Sequence, residues 1–206
     1  MKDTYALKPL LIGITGGIGS GKTTFAKCIE KHGFPVYYSD TRAKEIVNEN
    51  NVLKRKIIQL LGEDAYDENG CYHRKWVAEK VFGNAELLSQ LNSIIHPAVR
   101  LDFEEWFSVQ KTRFVFKETA LLFELGLDKY CYKSILVTAE DNIRIKRVMD
   151  RDGKTYREVE AIIAKQMPEK EKIKKADFVV YNNSSIEELK KQTAVLIEKM
   201  VDSILI

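Results

Sequence analysis

The sequence contains few cysteine, histidine and proline residues, and the scarcity of cysteine excludes whole classes of protein. Only three cysteines occur among 206 residues. Cys28, Cys71 and Cys131 are odd in number and far apart, and none belongs to a pair with the spacing of zinc ligands. We therefore expect neither a disulfide framework nor a zinc site. Free thiols indicate a reducing compartment, so we expect the protein in the cytoplasm.

Long apolar runs and an excess of one charge are also lacking. The apolar run at 9–14 is far shorter than the ~18 residues that a membrane span needs. Lys and Arg number 33 against 30 Asp and Glu, and the basic residues are dispersed along the chain. We therefore expect no membrane anchor, no export signal and no nucleic-acid partner, although a small anionic substrate is compatible with this charge.

The chain has instead the composition and rhythm of a single α/β domain over 1–206. Short apolar runs bounded by glycine or proline predict strands, and amphipathic stretches between them predict helices. Together they predict a five-stranded parallel sheet with helices on both faces. The predicted strands are 10–14, 35–38, 113–118, 134–138 and 178–181, and the predicted helices are 23–32, 141–151, 156–166 and 185 onward.

Residues 41–111 interrupt this alternation. Their pattern is almost continuously helical, with a polar turn at 64–70 and no strand-like run of comparable strength. We interpret the block as a helical insertion that binds a substrate.

Residues 16–23, Gly-Gly-Ile-Gly-Ser-Gly-Lys-Thr, satisfy the pattern G-x-x-x-x-G-K-[ST] of a phosphate-binding loop, or P-loop. The loop follows a predicted strand and opens a predicted helix, as the motif requires. Its glycines bring backbone N–H groups to a phosphate, Lys22 neutralises phosphate oxygens, and the Thr23 hydroxyl is a ligand for Mg²⁺. We therefore predict a P-loop NTPase fold that binds ATP with Mg²⁺. The predicted ATP-binding residues of the loop are Gly17, Ile18, Gly19, Ser20, Gly21, Lys22, Thr23 and Thr24.

The loop alone leaves kinases, GTPases and motor ATPases open. A GTPase needs a guanine-binding N-K-x-D segment, and residues 138–142 do not match it. A kinase needs an acid or base near the acceptor hydroxyl. Asp40 follows the second strand and could accept that proton, or it could merely cap the next helix. Glu118 ends the third strand and is a candidate for Mg²⁺, or alternatively a surface acid.

A basic helix follows the fourth strand, and we predict that 140–168 forms a lid over the nucleotide. Arg147 and Arg151 lie four residues apart on one face of this helix, where both could contact triphosphate oxygens. The alternative is a solvated helix whose arginines pair with Asp150 and Asp152. The other basic residues of the helix are Arg144 and Lys146.

Several further motifs occur in a fixed order, and they make the chain resemble the dephospho-coenzyme A kinase family from Leu11 to about Glu188. The loop at 15–23 carries that family's narrower pattern T-G-G-I-G-S-G-K-[ST]. Tyr38 replaces the first acid of the family's D-A-D, and Ala120 replaces the proline of P-L-L-F-E. The other matching segments are Gly70–Arg74, Ile95–Pro97, Leu121–Glu124, Arg147–Arg151, Gln166–Pro168 and Ala176–Asn183.

The resemblance implies transfer of the γ-phosphoryl group of ATP to the ribose 3′-hydroxyl of dephospho-coenzyme A. It implies Asp40 as catalytic base, with Lys22 and Arg147 stabilising charge. The acceptor-binding residues would be Thr15, Asp40, Arg74 and His96. His96 could also be structural, since Pro97 beside it can mark a helix start.

Two other functions remain open from the sequence. A different nucleoside or nucleotide kinase would share the loop and differ in the helical insertion. A non-catalytic ATP-binding regulator would bind ATP without acceptor-dependent ADP production. The sequence predicts no oligomeric state.

Overall fold

The structure is a computed structural model that describes residues 8–202. The described chain forms two compact units, one comprising residues up to Tyr37 together with those from Gln110 onward, the other Tyr38–Val109. Within the described range, no helix is both long and apolar enough to cross a membrane.

The first unit is built on a parallel sheet in the order β2-β3-β1-β4-β5. Its central strand β1 pairs with β3 on one side and β4 on the other, and Ile14 lies opposite both Glu118 and Ile135. Strands of a parallel sheet that is covered on both faces are apolar at nearly every position, and β1 follows this pattern. The strands are β1 Leu10–Thr15, β2 Val36–Tyr38, β3 Phe114–Glu118, β4 Lys133–Thr138 and β5 Phe178–Tyr181.

Helices α1 and α6–α9 belong to the same unit. Helix α1 buries Phe25, Ala26, Cys28 and Ile29, at the spacing of one helical face, and packs against the sheet and α9. The helix bounds are α1 Lys22–Lys31, α6 Asp141–Asp152, α7 Tyr156–Ala164, α8 Glu169–Lys175 and α9 Ile186–Asp202, and Leu127–Tyr130 forms a 3₁₀ turn.

The second unit consists of four helices: α2 Ser39–Glu49, α3 Asn51–Leu61, α4 Arg74–Val81 and α5 Ala85–Ser108. Asn50 caps α3, since its side chain accepts from the N–H groups of Val52 and Leu53, both at 3.0 Å. A separate apolar cluster around Ile57, which is fully buried, forms the core of this unit. It includes residues from α2 to α5 and the 3₁₀ turn Glu63–Ala65.

The α/β fold and its five strands are confirmed, with small shifts in strand ends. One alternative about the helices is wrong, and one helix was missed. Pro97 lies inside α5 and does not start a helix, so α5 continues past a residue that has no backbone N–H to donate. Helix α8 was not predicted, because its sequence Glu-Lys-Glu-Lys-Ile-Lys-Lys has almost no apolar periodicity.

Candidate active site

The phosphate-binding loop connects β1 to α1, as its sequence predicts. Gly19 and Gly21 have φ angles of 77° and 89°, which L side chains rarely adopt, so these two positions need glycine. Gly21 is also the N-cap residue of α1 and offers no side chain to cap it. The N–H groups of the first helical turn are therefore available to an anion.

A buried carboxylate lies beside the lysine and threonine of the motif. Glu118 is only 3% exposed. Its Oε1 is 3.3 Å from the Thr23 Oγ1, which donates a hydrogen bond to it, and 3.4 Å from the Lys22 Nζ. The structure thus brings these three predicted residues together, and the alternative of a surface acid at Glu118 is wrong. The parallel register of β1 and β3 brings Glu118 to the strand end from which the loop departs.

The two arginines predicted for ATP differ in their surroundings. Arg147 is half-buried, and its Nη1 is buried without a hydrogen-bond partner among residues 8–202. That nitrogen lies 4.0 Å from where a Cβ on Gly21 would be, so it is close to the loop. Arg151 is exposed and forms two hydrogen bonds of 2.7 Å with Asp152. This pairing lowers the pKa of Asp152. Arg151 thus has the surface pairing that was the alternative for this helix, and Arg147 does not.

Three side chains that the sequence did not assign to the site hold the loop backbone. Asn182 follows β5 and donates from Nδ2 to the Ser20 carbonyl at 2.9 Å. Gln166 accepts a hydrogen bond from the Ile18 N–H at 3.0 Å, and Arg144 donates one to the Ile18 carbonyl, also at 3.0 Å. Gln166 and Asn182 lie in motifs of the family resemblance, and this was the one feature of the sequence that could have identified them as site residues. Arg144 could have been found from its place on the buried face of α6.

The remaining predicted residues of the first unit lie at both ends of the loop. Thr15 is fully buried, and its hydroxyl donates to the Ala120 carbonyl at 3.4 Å. Thr24 is exposed on α1. Thr15 therefore has no exposed surface in this structure, whereas Thr24 does.

Three predicted acceptor-binding residues lie in the second unit. Asp40 lies in the first turn of α2, whose N-cap is Tyr38, so Asp40 is not the N-cap residue of that helix. Arg74 begins α4, and its Nη2 donates to the Lys44 carbonyl at 2.9 Å. His96 is exposed on α5, and desolvation lowers its pKa from the usual value. The three therefore lie on three different helices.

Comparison with known proteins gives matches along nearly the whole chain. A family model described as dephospho-CoA kinase matches residues 10–188. A dephospho-CoA kinase of Fusobacterium nucleatum is 39% identical over 183 residues, covering 89% of this chain and 94% of the relative. Two solved structures match as well. A Thermus thermophilus protein has a TM-score of 0.81 and 37% identity over 92% of this chain and 97% of its own. Dephospho-CoA kinase from Campylobacter jejuni has a TM-score of 0.69 and 26% identity over 94% and 98%.

Proposed function

We propose that this chain, which belongs to the dephospho-CoA kinase family, transfers the γ-phosphoryl group of ATP to the ribose 3′-hydroxyl of dephospho-CoA. The observation that carries the proposal is the family match over residues 10–188, which includes the phosphate loop and the whole second unit. Phosphorylation of dephospho-CoA with ATP is the activity of this family and the last step of coenzyme A synthesis.

The loop and the start of α1 would bind the ATP phosphates. Backbone N–H groups from Gly17 to Thr24 would surround the β-phosphate, and the positive end of α1 would favour its negative charge. Lys22 would then neutralise charge on the β- and γ-oxygens. The contact between Lys22 and Glu118 supports this role, because it holds the ammonium group at the loop.

Kinases of the P-loop fold generally use Mg²⁺ with ATP, and the residues present fit this ion. Thr23 and Glu118 supply a hydroxyl and a carboxylate, which are the hard oxygen ligands that Mg²⁺ prefers. Residues 8–202 contain no group of three or more metal-binding side chains, and Mg²⁺ at a triphosphate commonly takes only one or two protein ligands. When bound, the ion would neutralise charge on the phosphate oxygens.

Two cationic side chains would stabilise the transferring group, and one carboxylate would act on the acceptor. Lys22 and Arg147 would interact with the charge on the equatorial oxygens, while Asp40 would orient or deprotonate the attacking hydroxyl. The unpartnered Nη1 of Arg147 supports its role, because a buried guanidinium nitrogen without a partner is costly until an anion binds it.

The second unit and the α6–α7 region would complete the site. We infer that 41–111 binds the acceptor, with Asp40, Arg74 and His96 as contacts; Thr15, whose side chain is fully buried, is not one of them. Residues 140–168 would serve as the lid, with Arg147 as its contact to ATP; Arg151, which is exposed and paired with Asp152, is not included. The three free cysteines support the cytoplasm as the compartment.

An acceptor comparison tests the proposal. The purified protein would be given ATP and Mg²⁺ with dephospho-CoA, AMP, adenosine or no acceptor, and ADP release would be measured. We expect strong stimulation by dephospho-CoA alone. Its 3′-deoxy analogue should give none, whereas the matched 2′-deoxy analogue should still be phosphorylated. Stimulation by AMP or adenosine alone would indicate a different nucleoside or nucleotide kinase. If no acceptor stimulated ADP release, a non-catalytic ATP-binding regulator would be favoured.

A further inference from the structure

Ile18, in the middle of the phosphate loop, is held by three separate contacts from α6 and α7 and the turn after them. Its N–H donates to the Gln166 Oε1 at 3.0 Å, and its carbonyl accepts from the Arg144 Nε at 3.0 Å. Its side chain packs against an apolar cluster of Ile145, Val148 and Val159. One loop residue therefore has both backbone polar groups and its side chain engaged by residues more than 120 positions away.

Arg144, one of the two side chains that hold Ile18, is itself buried and fixed in place. Arg144 is 2% exposed, and its Nη1 lies 3.1 Å from the Asp141 Oδ1 and 3.4 Å from the Glu169 Oε2. Burying a guanidinium group is costly unless its charge is paired and its donors are satisfied. These two carboxylates supply the charge, and the Ile18 carbonyl satisfies a third N–H group, so the side chain has little freedom to turn elsewhere.

The turn that carries Gln166 is fixed in the same way. The N–H of the next residue, Met167, donates to the Glu124 Oε1 at 3.3 Å. The same Oε1 is 3.3 Å from the Nζ of Lys172, which is fully buried. Glu124 and Gln166 belong to two motifs of the family resemblance that the proposed mechanism does not use. Glu124 therefore fixes the turn from which Gln166 contacts the loop.

We propose that Gln166 and Arg144 are positioning residues, which hold Ile18 so that the loop backbone is already arranged for the ATP phosphates. A loop with four glycines among its eight residues loses much conformational entropy when it is ordered around a phosphate. Contacts that order it beforehand lower this cost and so strengthen ATP binding. The inference rests on the ATP-binding half of the proposed function and is independent of the acceptor.

The glycine before Ile18 agrees with this role. A Cβ on Gly17 would contact the Arg144 Nη2 and would lie 3.1 Å from the Gln166 Oε1. Both side chains therefore fill the space that a larger residue would occupy at position 17. The glycine permits this close approach of Arg144 and Gln166 to the loop.

The test compares Gln166→Met with Gln192→Met. Each change removes a partly buried amide that makes one hydrogen bond to a backbone group, but Gln192 contacts the Tyr181 carbonyl on β5. ATP and ADP binding would be measured by titration calorimetry without acceptor, and thermal unfolding would be followed in parallel. Loss of one hydrogen bond to a backbone N–H predicts about five- to tenfold weaker ATP binding for Gln166→Met. Gln192→Met should bind ATP like the wild type.

A conservative variant separates positioning from a merely structural role. Gln166→Glu keeps an acceptor oxygen at the same position but adds a negative charge beside the loop, so its ATP binding is measured at high salt, which screens that charge. Under these conditions it should recover most of the ATP affinity that Gln166→Met loses. If Gln166→Met does not fold, Gln166→Asn, which withdraws the acceptor by one carbon, takes its place. Wild-type ATP affinity in Gln166→Met, or an equal loss in the Met and Glu variants, would overturn the inference.

The outcome is distinguishable from failure of the proposed function. A wild-type protein that binds ATP but is not stimulated by dephospho-CoA would contradict the acceptor assignment and leave the positioning role intact. A wild-type protein that binds no ATP would overturn both.

Discussion

Charged side chains are used differently in the two units of this protein. In the first unit, Glu118, Arg144 and Lys172 are almost completely buried and contact partners far away in sequence. In the second unit, Arg42 forms ion pairs with Glu45, Glu49 and Asp102 at the surface, while the core is apolar. The first unit therefore combines an apolar core with buried charge pairs, whereas, within the described residues 38–109, the buried core of the second unit contains no charged side chain.

This difference predicts which substitutions should lower stability and which should lower only catalytic activity. A buried charge that loses its partner costs several kcal/mol, whereas an exposed pair contributes about 1 kcal/mol or less. Removal of a charge should consequently be severe in the first unit and mild for the stability of the second. Four predictions test this contrast.

The largest effect is expected at Lys172 in the first unit. Lys172→Met removes the partner of the Glu124 carboxylate and should lower the free energy of unfolding by about 3 kcal/mol, measured by urea denaturation. The matched control is Lys174→Met, which changes an exposed lysine of the same helix.

A second variant sharpens this result. In Glu124→Gln/Lys172→Met both charges are gone, so part of the lost stability should return. If Lys172→Met were as stable as Lys174→Met, the buried pair would not support the first unit and the contrast between the units would fail.

Asp40 in the second unit should separate activity from stability. Asp40→Asn should retain ATP binding and lower kcat with dephospho-CoA by a factor on the order of 100, because it removes the proposed base. Steady-state kinetics and calorimetry with ATP measure the two effects. Asp64→Asn, an exposed acid in the same unit, is the control. Normal turnover in Asp40→Asn would show that another group acts on the acceptor.

The two arginines of α6 test the contrast within one helix. Arg147→Met should lower kcat by about 20-fold, because its buried Nη1 is the group proposed to meet the transferring phosphate. Arg151→Met removes an exposed guanidinium that is paired with Asp152, and we expect less than about a twofold change. Similar losses in both variants would place both arginines on the nucleotide and contradict the distinction drawn from their burial.

The sequence predicted those parts of the molecule whose signal is local. The loop at 16–23 is a continuous motif, and each strand is a short apolar run, so both could be identified without tertiary information. Asp40 and Glu118 were candidates because they follow or end predicted strands, and Arg147 because it shares a basic helix face with Arg151. The burial of Glu118 was not predictable, because it results from the pairing of β3 with β1.

The supports of the loop escaped prediction for the same reason. Arg144 was only one basic residue among several on the helix predicted as part of a lid, and α8 was missed because six of its seven residues are charged. Only the fold brings Glu124 to Lys172 and Arg144 to Glu169, and only these pairings make burial of the charges possible. Long-range charge pairing leaves no periodic signal in a single sequence.

The smallest effect is expected at Asp102 in the second unit, because its partner Arg42 also pairs with two other acids. Asp102 binds Arg42 through two hydrogen bonds, of 3.1 Å to Nε and 2.7 Å to Nη2, and this raises the pKa of the guanidinium above its usual range. The bond geometry is good, yet Arg42 keeps Glu45 and Glu49 as partners when Asp102 is changed. Asp102→Asn should therefore lower the free energy of unfolding by only about 0.5–1 kcal/mol.

The control for this prediction is Glu104→Gln, which removes an exposed acid two residues away whose pair with Arg100 is 3.4 Å long. It should change stability by less than Asp102→Asn does, and added salt should weaken the effect of both variants. A loss of about 3 kcal/mol for Asp102→Asn would equal that expected at Lys172. The helical unit would then depend on charge pairing as strongly as the sheet does, because Arg42 would be joining α2 to α5 and not merely covering their surface.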